Sequence, residues 1–197
     1  MTLHFQSYLG TEIESVIPDL ARLRIEVFRD FPYLYDGNED YESDYLATYS
    51  RTPTAIVVAA LDGDTIVGAA TGMAMGDHDD DFARPLAEIG IDHSDVFYCA
   101  ESVLLAEYRG QGAGHTFFDA REEHARALGR THSAFTSVLR PADHPSRPKG
   151  YRPLDGFWRK RGYSRLDGAV ASFEWTDIGA TGPTRKSLQY WMKDLRI

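Results

Sequence analysis

The chain is poor in the groups that build cross-links and cages for metals. It has one cysteine, Cys99, in 197 residues, which excludes an internal disulfide and any site of several thiolates; a reducing cytoplasm is the simplest setting. Its seven histidines show no ligand spacing such as HxxxH, so no metal framework is expected. Gly-Lys-[Ser/Thr] occurs nowhere, which removes the Walker phosphate loop. No stretch approaches the roughly 18–20 apolar residues of a membrane span, and the opening MTLHFQSYLGTEIE lacks a basic region followed by an apolar run. A soluble, unexported, cytoplasmic protein is expected. Repeats, low-complexity tracts and Ser/Gly linkers are also missing, so one domain over residues 1–197 is the default, large enough to bury a core without staples. Cations are outnumbered, with 21 Lys and Arg against 30 Asp and Glu and a formal net charge of −9. That balance disfavours nucleic acid and anionic membranes as partners.

What is present is an interleaving of strand and helix patterns. Residues 2–9 alternate as a short strand, and Val16, Leu20, Leu23 and Val27 recur at helical spacing over 11–29, with Pro18 near the true helix start. A short helix is expected over 40–49. Residues 54–61 and 65–75 are strand-like runs joined by Asp62-Gly63-Asp64, a hairpin signal. An acidic loop (77–81) and a helical turn (85–89) follow. Next come a strand (95–105), a glycine-rich turn (107–114), and an amphipathic helix (114–128) ended by Gly129. A strand (133–139), a long loop holding Pro141, Pro145, Pro148 and Pro153, a short helix (154–160) and strands at 169–176 and 187–195 complete the chain. This order predicts an α/β layered architecture with a mixed sheet.

The segment Arg109-Gly110-Gln111-Gly112-Ala113-Gly114 leads from a strand into a helix. Such a turn leaves backbone N–H groups unpaired and pointing outward, which suits a phosphate. A tight turn with no ligand is the simpler reading of three glycines alone. The dinucleotide fingerprint GxGxxG fails at His115, and no acidic residue closes a strand about 20 residues later.

The segment does resemble the acyl-CoA-binding motif of the GNAT superfamily of N-acetyltransferases, [Arg/Gln]-x-x-Gly-x-[Gly/Ala], with Arg109, Gly112 and Gly114 at the defined positions. Leu105-Ala106-Glu107-Tyr108 looks like the family's hydrophobic-Pro-Glu-Tyr, with alanine where proline is common. Downstream, Gly156-Phe157-Trp158-Arg159-Lys160-Arg161-Gly162-Tyr163 is similar to the family's Phe-Tyr-x-Lys-x-Gly-[Phe/Tyr]. The resemblance implies a mixed sheet of about seven strands flanked by helices on both faces, acetyl-CoA as co-substrate with no metal, and transfer of acetyl to a primary amine of a small acceptor. A non-catalytic CoA-binding or sensing module of the same fold is the alternative; a homodimer is also compatible. By the same resemblance Gly110, Gln111, Gly112, Ala113 and Gly114 hold the pyrophosphate through their amides. Leu104 and Leu105 meet the pantetheine arm through backbone, and Arg109, Trp158, Lys160 and Arg161 are further cofactor candidates. The acceptor enters at a gap between the strands 95–105 and 133–139.

Transfer to an amine requires a proton acceptor and often an acid for the departing thiolate. Glu101, a carboxylate in an otherwise apolar strand, is the candidate base; a Glu paired with a nearby Arg is the competing reading, and water-relayed deprotonation needs no base at all. The family's tyrosine acid aligns with Trp158, whose indole N–H is no proton source at neutral pH, so Tyr151 is the weak substitute, with Tyr163 nearby. Cys99 reads as a small core residue rather than an acyl carrier. Tyr33, Tyr35 and Asp36, after the first helix, are candidate acceptor contacts, as are Asp143 and His144 in the proline-rich loop, although packing and turn capping explain the same residues. The charge is also partitioned. Residues 1–107 carry 5 basic and 21 acidic side chains, whereas residues 108–165, which hold both motifs, carry 12 and 5. That suits an anionic cofactor on one side, with Arg109, Arg159, Lys160 and Arg161 as phosphate partners, and a cationic amine on the other.

Overall fold

A computed structural model describes residues 2–196. Seven strands, β1 (His4–Leu9), β2 (Ile56–Asp62), β3 (Thr65–Ala74), β4 (Val96–Leu104), β5 (His132–Val138), β6 (Ser164–Thr176) and β7 (Pro183–Asp194), form one sheet in the order β1-β2-β3-β4-β5-β7-β6. Every neighbouring pair is antiparallel except β4 and β5. Five helices cover it: α1 (Ile17–Phe28), α2 (Glu39–Arg51), α3 (Asp80–Glu88), α4 (Ala113–Ala127) and α5 (Asp155–Lys160). Leu20, Leu23 and Leu46 of α1 and α2 pack on Val57, Ala69 and Val103 on one face. Phe117, Phe118 and Ala125 of α4, with Phe157 and Trp158 of α5, cover Phe97, Phe135 and Trp191 on the other. The mixed sheet with helices on both faces is the expected architecture. Among the described residues no helix is long and apolar enough to cross a membrane.

Local chemistry explains where the elements depart from the sequence pattern. The apolar periodicity of 11–29 is divided: Gly10–Val16 is a 3-10 segment, and α1 begins at Ile17 with Pro18 in its first turn, where a missing N–H costs nothing. The acidic run read as a loop instead starts α3. The Asp79 carboxylate accepts from the Asp81 amide at 2.8 Å, and Asp80 and Asp81 lie at the positive end of the helix dipole. β6 starts at Ser164 rather than 169, because an irregularity between Arg165 and Val170, with Gly168 at φ +83°, carries the strand across the break.

Two irregularities in the middle of the sheet create the site. The parallel pair β4/β5 is in register only over Val96, Phe97 and Tyr98 against His132, Ser133 and Ala134, and beyond these the strands diverge. On its other side β4 carries a bulge: Gly72 opposes Cys99 and Ala70 opposes Ser102, so Ala100 and Glu101 together face Thr71. Strand side chains alternate, so an unbroken β4 would put Glu101 on the α4 face with Phe97 and Cys99. The bulge shifts that alternation by one and turns Glu101 toward α1.

A bulge leaves backbone carbonyls without ladder partners, and one side chain supplies them. Arg121 of α4, only 1% exposed, donates through Nη1 to the carbonyl oxygens of Thr71 at 3.0 Å and Glu101 at 2.9 Å, and through Nη2 to Ser102 Oγ at 2.9 Å. Its Nε donates to the Phe117 carbonyl at 3.1 Å. Replacing Arg121 by Met keeps the length and strands two buried acceptors. The expected loss of stability in urea unfolding is roughly 2–6 kcal/mol, at about 1–3 per unmet group; a loss below about 1 kcal/mol would show that the bulge holds without it.

Candidate active site

The site is built outward from Glu101. It is 8% exposed, and its Oε2 lies 2.8 Å from Nη1 of Arg24. Arg24 sits inside the apolar stripe of α1, one turn after Leu20 and one before Phe28, so it points at the sheet rather than at water. It also pairs through Nε with Glu42, which is fully buried in the first turns of α2, and its guanidinium lies over the rings of Phe28 (5.1 Å) and Tyr45 (4.7 Å). The carboxylate that the sequence places alone in an apolar strand is therefore part of a buried Glu42–Arg24–Glu101 cluster. Oε1 of Glu101 is buried and has no hydrogen-bond partner among the described residues.

Glu101 borders a cavity of about 510 Å³ on the α1 face, beside the opening between β4 and β5. Tyr98, Ala100 and Thr136 form its floor there, with the Tyr98 and Thr136 hydroxyls 2.9 Å apart across the diverging strands. Phe28, Tyr33, Phe82, Phe173 and Trp175 supply walls. Burial, with the charge of Glu101 adding to it, pushes the Tyr33 phenol up to about 12. Burial pulls the His78 imidazole down to about 4 against the charge of Asp79, so His78, another wall residue, is neutral near pH 7.

Residues 29–38 close one side of this cavity because Arg140 latches them down. Its guanidinium donates to the carbonyls of Pro32 (2.8 Å) and Tyr33 (2.7 Å) and grips both oxygens of Asp177 at 2.9 Å. Backbone pairing of Tyr35 with Asp177, and the Asp36 amide on the Thr176 carbonyl at 2.9 Å, fasten the segment to the end of β6. Tyr33, stacked on Phe28 at 4.2 Å, and Tyr35 and Asp36 thus all line the cavity.

The glycine turn follows the C-terminal end of β4. Gly110 and Gly112 have φ of +80° and +88°, and Gly112 is the N-cap of α4. Among the described residues the amides of Gly110, Gln111 and Gly112 donate to no backbone carbonyl, and Ala113 and Gly114 begin a helix, so five successive N–H groups are free for an anion. The Leu105 amide donates to the Val67 carbonyl at 3.0 Å, which turns Leu105 and Val103 toward β3; the polar backbone of Ser102 and Leu104 faces the open side that β5 has left. Arg109 Nε caps the Leu104 carbonyl at 3.2 Å, while its exposed end lies 3.5 Å from Asp30.

The second motif braces the first. Phe157 packs where a Cβ on Gly114 would lie 3.3 Å away, and against His115 at 5.0 Å. Arg161 is drawn into α4, bonded to Asp119 at 2.6 Å and Glu122 at 3.1 Å, so its guanidinium positions the helix and is not free in the way expected of a phosphate partner. Arg159 and Lys160 stay exposed on α5. Trp158 packs on Phe135 at 4.9 Å and Trp191 at 5.1 Å.

Other candidates stand apart from Glu101. Tyr151 packs edge-on against Phe31 at 4.8 Å under Arg147 and is not a wall of the cavity. Asp143 is exposed, and His144 Nδ1 accepts from the Ser146 amide at 3.1 Å, so the two do not form an acid–base pair. Cys99 is buried on the α4 face with Sγ 3.4 Å from Ser133 Oγ, and burial pushes its thiol up, as a core residue requires. Tyr163 is buried against Glu122 (3.0 Å) and Ser133 (2.8 Å). Among the described residues no group of three His, Cys, Asp or Glu side chains is placed to hold a metal ion. Sequence reasoning missed Arg24, Glu42, Arg121 and Arg140. For Arg24 and Arg121 the signal was there, as a charged residue at helical spacing within an apolar stripe.

Comparison with known proteins agrees with this geometry. The profile of the Acetyltransferase (GNAT) family matches residues 20–148. No curated protein matches. Solved structures share the fold: the yncA protein of Salmonella typhimurium with its cofactor acetyl-CoA (9% identity, 98% of this chain and 94% of that one, TM-score 0.62); a ribosomal-protein-alanine N-acetyltransferase from Brucella melitensis (14%, 96% and 99%, 0.61); and the paia N-acetyltransferase of Thermoplasma acidophilum in complex with coenzyme A (12%, 98% and 99%, 0.57). With a matching profile over more than half its length and the glycine turn, split strands and bulge in place, the chain belongs to the GNAT acetyltransferase family.

Proposed function

We propose that the protein transfers an acetyl group from acetyl-CoA directly to the primary amine of a small, cationic acceptor. One observation carries this reading: the unpartnered Oε1 of Glu101 borders the cavity where β4 and β5 part, on the same strand whose far end runs into the free amides of the glycine turn. Those features suit the two ends of an acyl-CoA. The amides from Gly110 to Gly114 hold the pyrophosphate, with exposed Arg109 and Lys160 adding positive charge. The polar backbone of Ser102 and Leu104 pairs with the pantetheine arm as a neighbouring strand would. Acetyl-CoA supplies the activated thioester.

The acceptor reaches the cavity from the α1 side, and Glu101 Oε1 takes one proton from its ammonium, leaving a nitrogen lone pair to form the C–N bond as the C–S bond breaks. Arg24 holds the carboxylate in place through Oε2. A thiol titrates at about 8.5, so the sulfur departs as thiolate, and the second proton that the nitrogen sheds as the amide forms passes to it through water; no phenol is required at the Trp158 position. Trp158 in that position is also what favours the second reading, a CoA-binding module without transfer, which tight CoA binding with no acetylated amine would support.

Glu101→Gln preserves shape and removes the acceptor charge. It should lower kcat by about 100-fold or more, the ordinary contribution of a general base, while CoA affinity by calorimetry stays within about twofold; an unchanged rate between pH 6 and 9 would remove Glu101 from the reaction. Gly112→Glu should weaken CoA binding by at least about tenfold by placing a carboxylate at the phosphate position. Gly112→Asn is the control, because asparagine tolerates the left-handed backbone and adds no charge. Equal affinity in the two variants would show that the turn is not the cofactor site.

A further inference from the structure

The charges around the cavity do not balance. Two buried carboxylates, Glu101 in its wall and Glu42 behind it, share one guanidinium, Arg24. Among the described residues no other lysine or arginine lines the cavity. Tyr33 and Tyr45 stay protonated because burial holds both well above their ordinary range, and His78 is neutral. The remaining charged wall residues, Asp36, Asp79 and Glu174, are anionic and exposed at the rim, with Arg29 at 3.7 Å from Asp36. The cluster is therefore one positive charge short; among the described residues Oε1 of Glu42 and Oε1 of Glu101 are both unmet, and of the two only Glu101 lines the cavity.

Between the floor and the rim the walls are rings. Nine phenyl, phenol or indole side chains line the cavity, among them Phe28, Tyr33, Tyr98, Phe82, Phe173 and Trp175. Such walls favour a flat apolar body and the face of a cation next to it. A volume of about 510 Å³ admits a body of one or two rings. A carboxylate or phosphate on the same ligand would find no cation to meet it. A second ammonium would reach only the exposed rim carboxylates, where an ion pair in water contributes little.

Resting on the reading of this cavity as the acceptor site, we infer that the acceptor is an arylalkylamine: a primary ammonium seated on Glu101 Oε1, carried by an aromatic body among the rings, with no anionic group of its own. The ammonium supplies the missing charge and the rings bury the body. Amino acids, acidic peptides and aliphatic polyamines are the classes this cavity disfavours.

The test is calorimetry on the full chain with saturating coenzyme A, which carries no acetyl group and allows binding without turnover. The probes are tryptamine, its zwitterion tryptophan, its neutral counterpart tryptophol, and spermidine. Tryptamine should bind at least about tenfold more tightly than each of the others, and Glu101→Gln should erase that advantage. Because the panel is run on the unaltered chain, the result does not hang on the folding of the variant. Comparable affinity for tryptophan or spermidine, or no binding of tryptamine, overturns the inference. Acetyl transfer to the three amines is followed in parallel by thiol release. Tryptamine binding without transfer to any amine removes the transferase reading and leaves the ligand class; transfer to spermidine without tryptamine binding does the reverse.

Discussion

The site depends on a single irregularity, the extra residue in β4 and the buried arginine that holds it. Without the bulge, the strand's alternation would aim Glu101 into the α4 face, among Phe97, Cys99 and Phe117. With it, the same sequence delivers a carboxylate to the α1 face, beside the point where β5 turns away. Arg121 makes this tenable by donating hydrogen bonds to the Thr71 and Glu101 carbonyls that the sheet cannot pair. A cation is thus buried in α4 to solvate backbone, and its effect appears on the opposite side of the sheet.

From that strand the structure separates two tasks by charge. Toward the C-terminal end of β4 lie free amides, exposed cations and an open backbone edge, all suited to an anionic, extended ligand. On the α1 face lie Glu101, Glu42 and a rim of acids around aromatic walls. The second family motif serves the first of these, because Phe157 of α5 and the following Arg161 brace the start of α4 while Trp158 packs against the β5 and β7 side chains Phe135 and Trp191. Arg140 and Asp177 fix the wall of the α1-face cavity by holding the loop that carries Tyr33 and Tyr35.

Much of this was legible in the sequence. The strand–glycine–helix order, the Asp-Gly hairpin and the amphipathic pattern of α4 are local signals, and the elements form where those signals lie. Glu101 stood out as a charge in an apolar run. What stayed hidden depends on residues far apart in the chain. The bulge is a relation between β3 and β4, and nothing within 95–105 marks it. The pairing of Arg24 with Glu101 joins residues 77 positions apart in sequence. Tyr151 and His144 were attractive for their chemistry, but the proline-rich loop sets them around Phe31, outside the cavity walls. Arg161 was counted as a free cation because its carboxylate partners, Asp119 and Glu122, lie on another helix.

The most direct measurement is a crystal structure of the protein with coenzyme A and tryptamine. The pyrophosphate is expected on the amides of Gly110 to Gly114, the thiol in the opening between β4 and β5, and the amine nitrogen within about 3.2 Å of Glu101 Oε1, an ordinary hydrogen-bond distance. Coenzyme A bound away from the glycine turn, or an amine seated elsewhere with Glu101 Oε1 still unpartnered, would contradict the assignment.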